Sequence, residues 1–267
     1  MKCRICLGET AGIFTTRVLS RYQAGVFQCK SCGFVRTEDP YWLDESYEEP
    51  INREDTGIVS RNLRLADIAS LTIFSIYERN AMFLDYAGGT GLLVRLMRDI
   101  GYDFYWHDKY AKNLFARGFE GNPDERGYQL LTCFEAMEHF PDPQKEIDEM
   151  LSISRNLLFT TELLPAPVPA AGDWWYYGFE HGQHVSFYSL RTLQHIASSR
   201  GLNLYSNGVN THLLTEKKIP PLLFPFLVKV APFGLGKIPR LFLKSRTFQD
   251  MRFLSGKVDR TIEKIDL

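Results

Sequence analysis

The run Phe83-Leu84-Asp85-Tyr86-Ala87-Gly88-Gly89-Thr90-Gly91 constrains this chain more than any other stretch. A short apolar segment, Ala81 to Leu84, ends in a carboxylate and a glycine-rich turn, and an amphipathic segment, Leu92 to Ile100, follows. The order is strand, tight loop, helix. Glycines let the backbone approach a ligand closely, and the first turn of a helix offers N–H groups that lack intrahelical partners. At the carboxyl end of a parallel strand, such a turn suits a nucleotide-like cofactor. The loop lacks the G-x-G-x-x-G of a dinucleotide site, and no Walker lysine follows.

Further segments extend the pattern. Tyr102 to His107 is an aromatic strand candidate ending at Asp108, 23 residues after Asp85. An acid at that distance, closing a second strand, can accept hydrogen bonds from a ribose diol. Tyr128 to Phe134 reads as a strand and runs into Glu135-Ala136-Met137-Glu138-His139-Phe140-Pro141-Asp142-Pro143. A helix over Asp142–Arg155 and a strand over Leu157–Glu162 come next. The helix Leu190–Arg200 precedes strands at Leu202–Ser206 and Thr211–Glu216. This alternation predicts an α/β fold with a doubly wound, mostly parallel sheet. Apolar residues at mostly helical spacing over residues 57–79 predict helices that cover one side of the sheet or the cofactor mouth.

The loop Asp85–Gly91 resembles motif I of the class I S-adenosylmethionine (SAM) methyltransferases, D-x-G-x-G-x-G, with Ala87 at the first glycine position. The stretch Phe134 to Pro143 resembles that family's fourth strand and following loop, F-E-V-L-E-H-V-x-D-P. The resemblance spans roughly residues 60 to 216. It implies a seven-stranded sheet whose last strand is antiparallel, with SAM held by Asp85, Tyr86, Ala87, Gly88, Gly89, Gly91, Asp108, Phe134 and Glu135.

Four of five cysteines form two C-x-x-C pairs, Cys3/Cys6 and Cys29/Cys32, with 22 residues between the pairs. Two-residue spacing lets both thiolates of a pair reach one ion. Two such pairs predict a closed four-thiolate zinc site of structural type, folding a ribbon-like module of about 40 residues. Cys133, within a strand, reads as a small core residue. The predicted organisation is a zinc module over 1–40, a linker with capping helices over 41–80, the cofactor domain over 81–216, and a C-terminal extension over 217–267. Lys217 to Gln249 carries seven basic residues and no acid, interleaved with leucine, phenylalanine and proline. Such a segment suits either a peripheral membrane contact or packing on the active site or a second chain.

Acceptor chemistry is expected beyond the strands Tyr128–Phe134 and Leu157–Glu162. Glu138 and His139 form one candidate pair, as a base or as a loop brace. The second candidate region runs from Trp174 to Ser189, with four consecutive aromatics and the histidines His181 and His184. Such ring density predicts a pocket for a sugar or an aromatic acceptor. His184 to Ser189 resembles the E-H-x-S-Y-F-S motif of sugar C-methyltransferases, which also carry an N-terminal four-cysteine zinc domain. That resemblance implies His184 as base, within a stretch that includes Tyr188. Gln183 stands where the group has glutamate, and the group's large C-terminal domain has no counterpart.

The formal net charge of −1 gives no reason to expect nucleic acid. The expected function is SAM-dependent O- or C-methylation of a small molecule or glycan by a cytoplasmic enzyme. An RNA or protein methyltransferase that docks through the zinc module, and a non-catalytic binding module on the same fold, are the alternatives. The acceptor itself is not encoded in any motif.

Overall fold

The computed structural model describes residues 1–47, 55–125 and 127–256. The end of the acidic linker (48–50) and the last residues of the C-terminal extension (257–267) lie outside them.

The chain begins with β1 (Thr10–Val18), β2 (Tyr22–Cys29) and β3 (Val35–Thr37), then the short α1 (Leu43–Ser46) and the long α2 (Ile58–Ile76). β4 (Met82–Tyr86), α3 (Leu92–Ile100), β5 (Asp103–His107), β6 (Tyr128–Cys133), α4 (Pro143–Ile153) and β7 (Leu157–Thr160) build the parallel unit. It is followed by β8 (Ser186–Phe187), α5 (Leu190–Ser199), β9 (Asn203–Ser206), β10 (Thr211–Thr215), α6 (Leu223–Val230) and α7 (Thr247–Leu254).

The central sheet has the order β5-β4-β6-β7-β10-β9. The first four strands are mutually parallel, and β10 runs antiparallel to both β7 and β9. The described residues therefore hold six strands, against the expected seven. At the β5 edge a seventh is reduced to one parallel bridge between Trp106 and Glu120. Residues 109–118 there form turns and no crossover helix.

Alternation along the strands sends side chains to opposite faces. Leu84, Tyr86, Leu131, Cys133, Leu157 and Phe159 pack on one face with Ile147 and Met150 of α4 and Leu193 and Ile196 of α5. Phe83, Leu130, Leu158 and Leu213 pack on the other with α2, α3 and Phe224 of α6. Cys133 is fully buried, as a core residue should be.

The N-terminal sheet extends beyond residue 40. Its order is β1-β2-β3-β8, so its fourth strand comes from residues 186–187. Cys3, Ile5, Cys29, Cys32 and Phe34 belong to the same core cluster as Leu84 and Phe159 of the central sheet. The hydroxyl of Thr192 donates to the Cys32 carbonyl at 3.0 Å, and Ser189 Oγ approaches the same oxygen at 3.4 Å. The four-cysteine segment is thus wedged into the main domain.

The C-terminal extension packs on α2 and α3. Phe224, Leu227, Val228 and Ala231 join the core. Asp250 of α7 takes two hydrogen bonds from the Arg98 guanidinium, both 2.8 Å, with both side chains 3% exposed. Arg98 also donates to Asp103 and to the Phe104 carbonyl. Among the described residues no helix is long and apolar enough to cross a membrane.

A buried charge left without any partner costs about 3–5 kcal/mol. Arg98 keeps Asp103 at 2.7 Å, so Asp250→Ala is expected to lower the denaturant midpoint by less than that full penalty. The apolar double variant Arg98→Met/Asp250→Leu should recover most of that loss in the same urea titrations.

Candidate active site

The glycine turn is shaped from below. Asp85 ends β4 at 3% exposure, and its Oδ1 accepts the Thr132 hydroxyl of β6 at 2.6 Å. A Cβ on Gly88 would lie 2.8 Å from Asp85 Oδ2 and 2.9 Å from Trp106 Cδ1, so only glycine lets the turn sit this low. Ala87, Gly89 and Gly91 all have positive φ, at 57°, 53° and 82°. For Ala87 that left-handed conformation costs about 1–2 kcal/mol. It is held by the Gly88 N–H, which donates to His107 O at 3.0 Å, and by Trp106 Nε1, which donates to Gly89 O at 2.9 Å.

Above the turn the space is open. A Cβ on Gly89 would meet nothing within 4 Å. Asp108, at the carboxyl end of β5, faces the same loop. Its Oδ1 accepts the N–H groups of Tyr110 and Ala111, and its Oδ2 accepts that of Gly89 at 2.9 Å. With about two acceptor sites per carboxylate oxygen, Oδ2 has one left. The carboxylate can therefore take one ribose hydroxyl more readily than the pair expected from sequence. Phe134 and Glu135 follow β6 on the other side of the turn. Glu135 holds a φ of 53°; its N–H donates to Thr160 Oγ1, and that hydroxyl donates to Glu135 Oε1, both at 2.7 Å. Arg61 Nε of α2 lies 3.5 Å from Glu135 Oε2. The donor and acceptor set around the open turn fits a nucleoside carrying hydroxyls and a polar edge. Tyr86 points away from it, buried, with its hydroxyl donating to Glu146 Oε2 at 2.9 Å.

Beyond β6, the short 3-10 turn Met137–His139 brings Glu138 and His139 against His184. Their ligating atoms all lie within 4.8 Å of one another. The His139 and His184 rings meet edge to face at 4.9 Å. The Nδ1 of His184 donates to Tyr176 O at 2.7 Å, which leaves Nε2 with its lone pair. His139 Nδ1 is 3.1 Å from the Tyr47 hydroxyl, and its Nε2 is 3.8 Å from Glu138 Oε1. Burial pushes the Glu138 carboxyl up to about 8, with repulsion from Glu135 adding to it. Burial also lowers both imidazoles, His139 to about 3, so they are neutral at pH 7. Glu138 Oε2 is buried without a hydrogen-bond partner.

The segment before α2 covers this cluster. Gln183 Nε2 donates to Ser46 O at 2.7 Å, and Trp42 Nε1 to Gly182 O at 2.9 Å. Tyr47 and Arg61 had no signal as site residues in sequence, because they come from a linker and a helix face, whereas Tyr176 lies in the aromatic run already singled out. Tyr188 stands apart from the cluster: it is fully buried against Phe34, and its hydroxyl donates to Met137 O at 2.9 Å. It positions the turn that carries Glu138 and His139.

The aromatic run divides. Tyr176, Tyr177, Phe179 and Phe187 are core residues packed with Val18, Val26 and Val35 of the N-terminal sheet. Trp174, Trp175 and Phe179 also line a cleft of about 520 Å³ against Thr16, Arg17 and Ser20 of the N-terminal hairpin. That cleft does not include His139 or His184.

The four cysteine sulfurs likewise gather within 4.8 Å of one another. The Sγ pairs Cys3/Cys32 and Cys6/Cys29 are 3.7 and 3.4 Å apart. Around a tetrahedral zinc with Zn–S bonds of 2.3 Å, sulfurs sit roughly 3.8 Å from one another. The N–H groups of Ile5 and Cys32 point at Cys3 Sγ and Cys29 Sγ. A hydrogen bond from Cys32 pulls the Cys3 thiol down to about 5, which leaves a thiolate at the centre. The donor set fits a structural zinc ion.

A mostly parallel α/β sheet that opens a glycine turn beside a strand-end acid has the architecture of a SAM-binding methyltransferase fold. A family profile described as a methyltransferase domain matches residues 61–207, and the chain belongs to that family. No curated protein matches the chain in sequence. Among solved structures, an O-methyltransferase family protein from Burkholderia thailandensis is 12% identical with a TM-score of 0.48, covering 72% of this chain and 66% of that one. The mitomycin 7-O-methyltransferase MmcR is 14% identical with a TM-score of 0.43, covering 66% and 60%. OxaC with sinefungin and meleagrin is 14% identical with a TM-score of 0.40, covering 54% of this chain and 44% of that one, less than half its length.

Burial raises Asp85 from 3.8 to about 7. The folded state then binds more protons than the unfolded one between those values, so stability falls as pH rises from about 4 to 7. Three units correspond to about 4 kcal/mol at most, at roughly 1.4 kcal/mol per unit. Asp85→Asn should flatten that part of the profile in urea unfolding run at pH 5 and pH 8. An unchanged profile in the variant would place the titration elsewhere.

Proposed function

We propose that this protein transfers a methyl group from SAM to a small-molecule or glycan acceptor, and that a structural zinc ion sits at Cys3, Cys6, Cys29 and Cys32. The observation that carries the reading is the placement of two features at the carboxyl ends of neighbouring strands. The open turn Ala87–Gly91 follows β4, and the Glu138–His139–His184 cluster follows β6, its direct neighbour. SAM, when bound, supplies an electrophilic methyl on a sulfonium and leaves as the neutral thioether.

The chain's own contribution is position, water exclusion and proton handling. Gly89 admits the cofactor to the backbone, while Gly88 and Gly91 let the turn pack closely on Asp85 and Asn113 beneath it. Asp108 takes a ribose hydroxyl at its remaining Oδ2 site. Asp85 holds the turn from beneath, with Tyr86 anchored outward. Phe134 and Glu135 form the far wall, with Glu135 steadied by Thr160 and Arg61. Tyr47, Tyr176 and Gln183 wall the cluster. His184, fixed with its Nε2 lone pair inward, handles the acceptor's proton with Glu138 and His139 beside it. A sheltered cluster of this kind suits a small acceptor group, and the net charge of −1 offers nothing to a polyanion.

Calorimetric titration with SAM tests the reading. Gly89→Val fills the open space and should abolish measurable binding. Asp108→Ala should weaken it by about 1.5–3 kcal/mol, the scale of a charge-assisted hydrogen bond. His184→Ala should leave SAM affinity unchanged while lowering turnover roughly 10²–10⁴-fold, the usual loss for a positioned proton-transfer group. Wild-type protein that fails to bind SAM would refute the proposal. Metal analysis should find one zinc per chain. Because the thiolates share a core with β4, chelation should lower the melting temperature of one cooperative transition covering the whole domain.

A further inference from the structure

Glu138 Oε2 is a buried carboxylate oxygen with no hydrogen-bond partner. Burying such an atom unsatisfied is costly, and native structures keep few of them. Beside it, His184 Nε2 presents a lone pair, because Nδ1 is committed to Tyr176 O at 2.7 Å. A second-site bond from one ring nitrogen to a backbone carbonyl is the usual support for a metal-ligating histidine. His139 Nε2 lies 3.8 Å from Glu138 Oε1, and its Nδ1 has the Tyr47 hydroxyl at 3.1 Å as an equivalent support. One oxygen and two nitrogens thus converge within 4.8 Å, in a pocket with Glu135 as the nearest further acid. Ligand atoms around a tetrahedral divalent ion stand about 3.3–3.6 Å apart, given bonds of about 2.0–2.2 Å. Small side-chain rotations close that gap.

We propose that Glu138, His139 and His184 hold a divalent first-row transition-metal cation through Glu138 Oε2, His139 Nε2 and His184 Nε2, separate from the four-cysteine site. Mixed imidazole and carboxylate donors suit zinc, cobalt, manganese or iron in the divalent state. Three protein ligands leave coordination positions open, as catalytic sites do. The inference rests on the methyl-transfer reading and deepens it: the acceptor would be a hydroxyl whose oxygen fills an open position and becomes more acidic there. Transfer then forms the O–CH3 bond as the sulfonium C–S bond breaks, its electron pair goes to sulfur, and the hydroxyl proton passes to water. In this arrangement His184 serves as a ligand and not as the proton acceptor, so its loss lowers turnover by removing the cation.

The test uses full-length protein whose cysteine site is filled with zinc, titrated with Co2+ and followed by calorimetry and visible absorption. The expected result is one further equivalent, with ligand-field bands and no thiolate-to-cobalt charge-transfer band. Glu138→Gln and His184→Ala should each weaken Co2+ binding at least roughly 10-fold, the lower bound seen even for supporting residues. Both variants should bind SAM as the wild type does, which also reports that they fold. No retained Co2+ in the wild type, or equal retention in both variants, overturns the cation site. Loss of SAM binding in the wild type with Co2+ retained would instead overturn the methyl-transfer reading and leave the cation site standing.

Discussion

A two-residue strand pairing holds the candidate site together. β8 pairs with β3 through Val35 with Phe187 and Arg36 with Ser186, and Thr37 N–H donates to Val185 O at 3.1 Å. The other edge of the same stretch grips the turn after β6. Val185 N–H donates to Glu138 O, Ser186 Oγ to Phe140 O, and Tyr188 Oη to Met137 O, at 2.7 to 2.9 Å. Residues 185–188 are therefore a strap between the N-terminal sheet and the loop that carries Glu138 and His139. His184 is the residue immediately before that strap. Its place against the other two groups follows from backbone pairing on both sides and does not depend on its own packing.

This arrangement gives the four-cysteine segment a role at a distance. β3 is three residues long and follows directly on Cys29–Cys32. A strand that short does not hold its register by itself. The thiol cluster closes the chain ahead of it, and Ser189 and Thr192 lean on the Cys32 carbonyl. A metal there would rigidify the one strand that β8 pairs with. The zinc module would then act on the reaction through position alone.

The legible parts of the chain were those with a short sequence period or a fixed spacing. The alternation of strands and helices from Ala81 onward gave six of the sheet's strands from residues alone, and the seventh came from the resemblance and is a single bridge here. The cysteine spacing placed four sulfurs together. His139 and His184 were both singled out, though nothing in their 45-residue separation says that they touch. What stayed hidden depends on chain segments that meet only in three dimensions. Tyr47 lies in a linker, Arg61 on a helix whose inner face alone was readable, and the β3–β8 pairing joins residues about 150 apart. The aromatic run Trp174–Tyr188 was legible as unusual but ambiguous in kind. Ring density serves a core as well as a pocket, and here most of it serves the core on the N-terminal sheet.

The two buried carboxylates show how differently one chemistry can be settled. Asp85 and Glu138 both follow or close neighbouring strands, and burial raises both. Asp85 has the Thr132 hydroxyl at 2.6 Å and lies under the turn. Its job is to fix Gly88 at a height that a Cβ would forbid. Glu138 has one oxygen without a partner and two neutral imidazoles beside it. A purely structural carboxyl would be expected to resolve as Asp85 does, with a hydroxyl donated to it. Keeping a buried oxygen open costs stability and does not improve packing, so the cluster is better explained by what enters it than by what it supports. The strap from Val185 to Tyr188 is what makes that cost sustainable, because its hydrogen bonds hold the turn whether or not the site is filled.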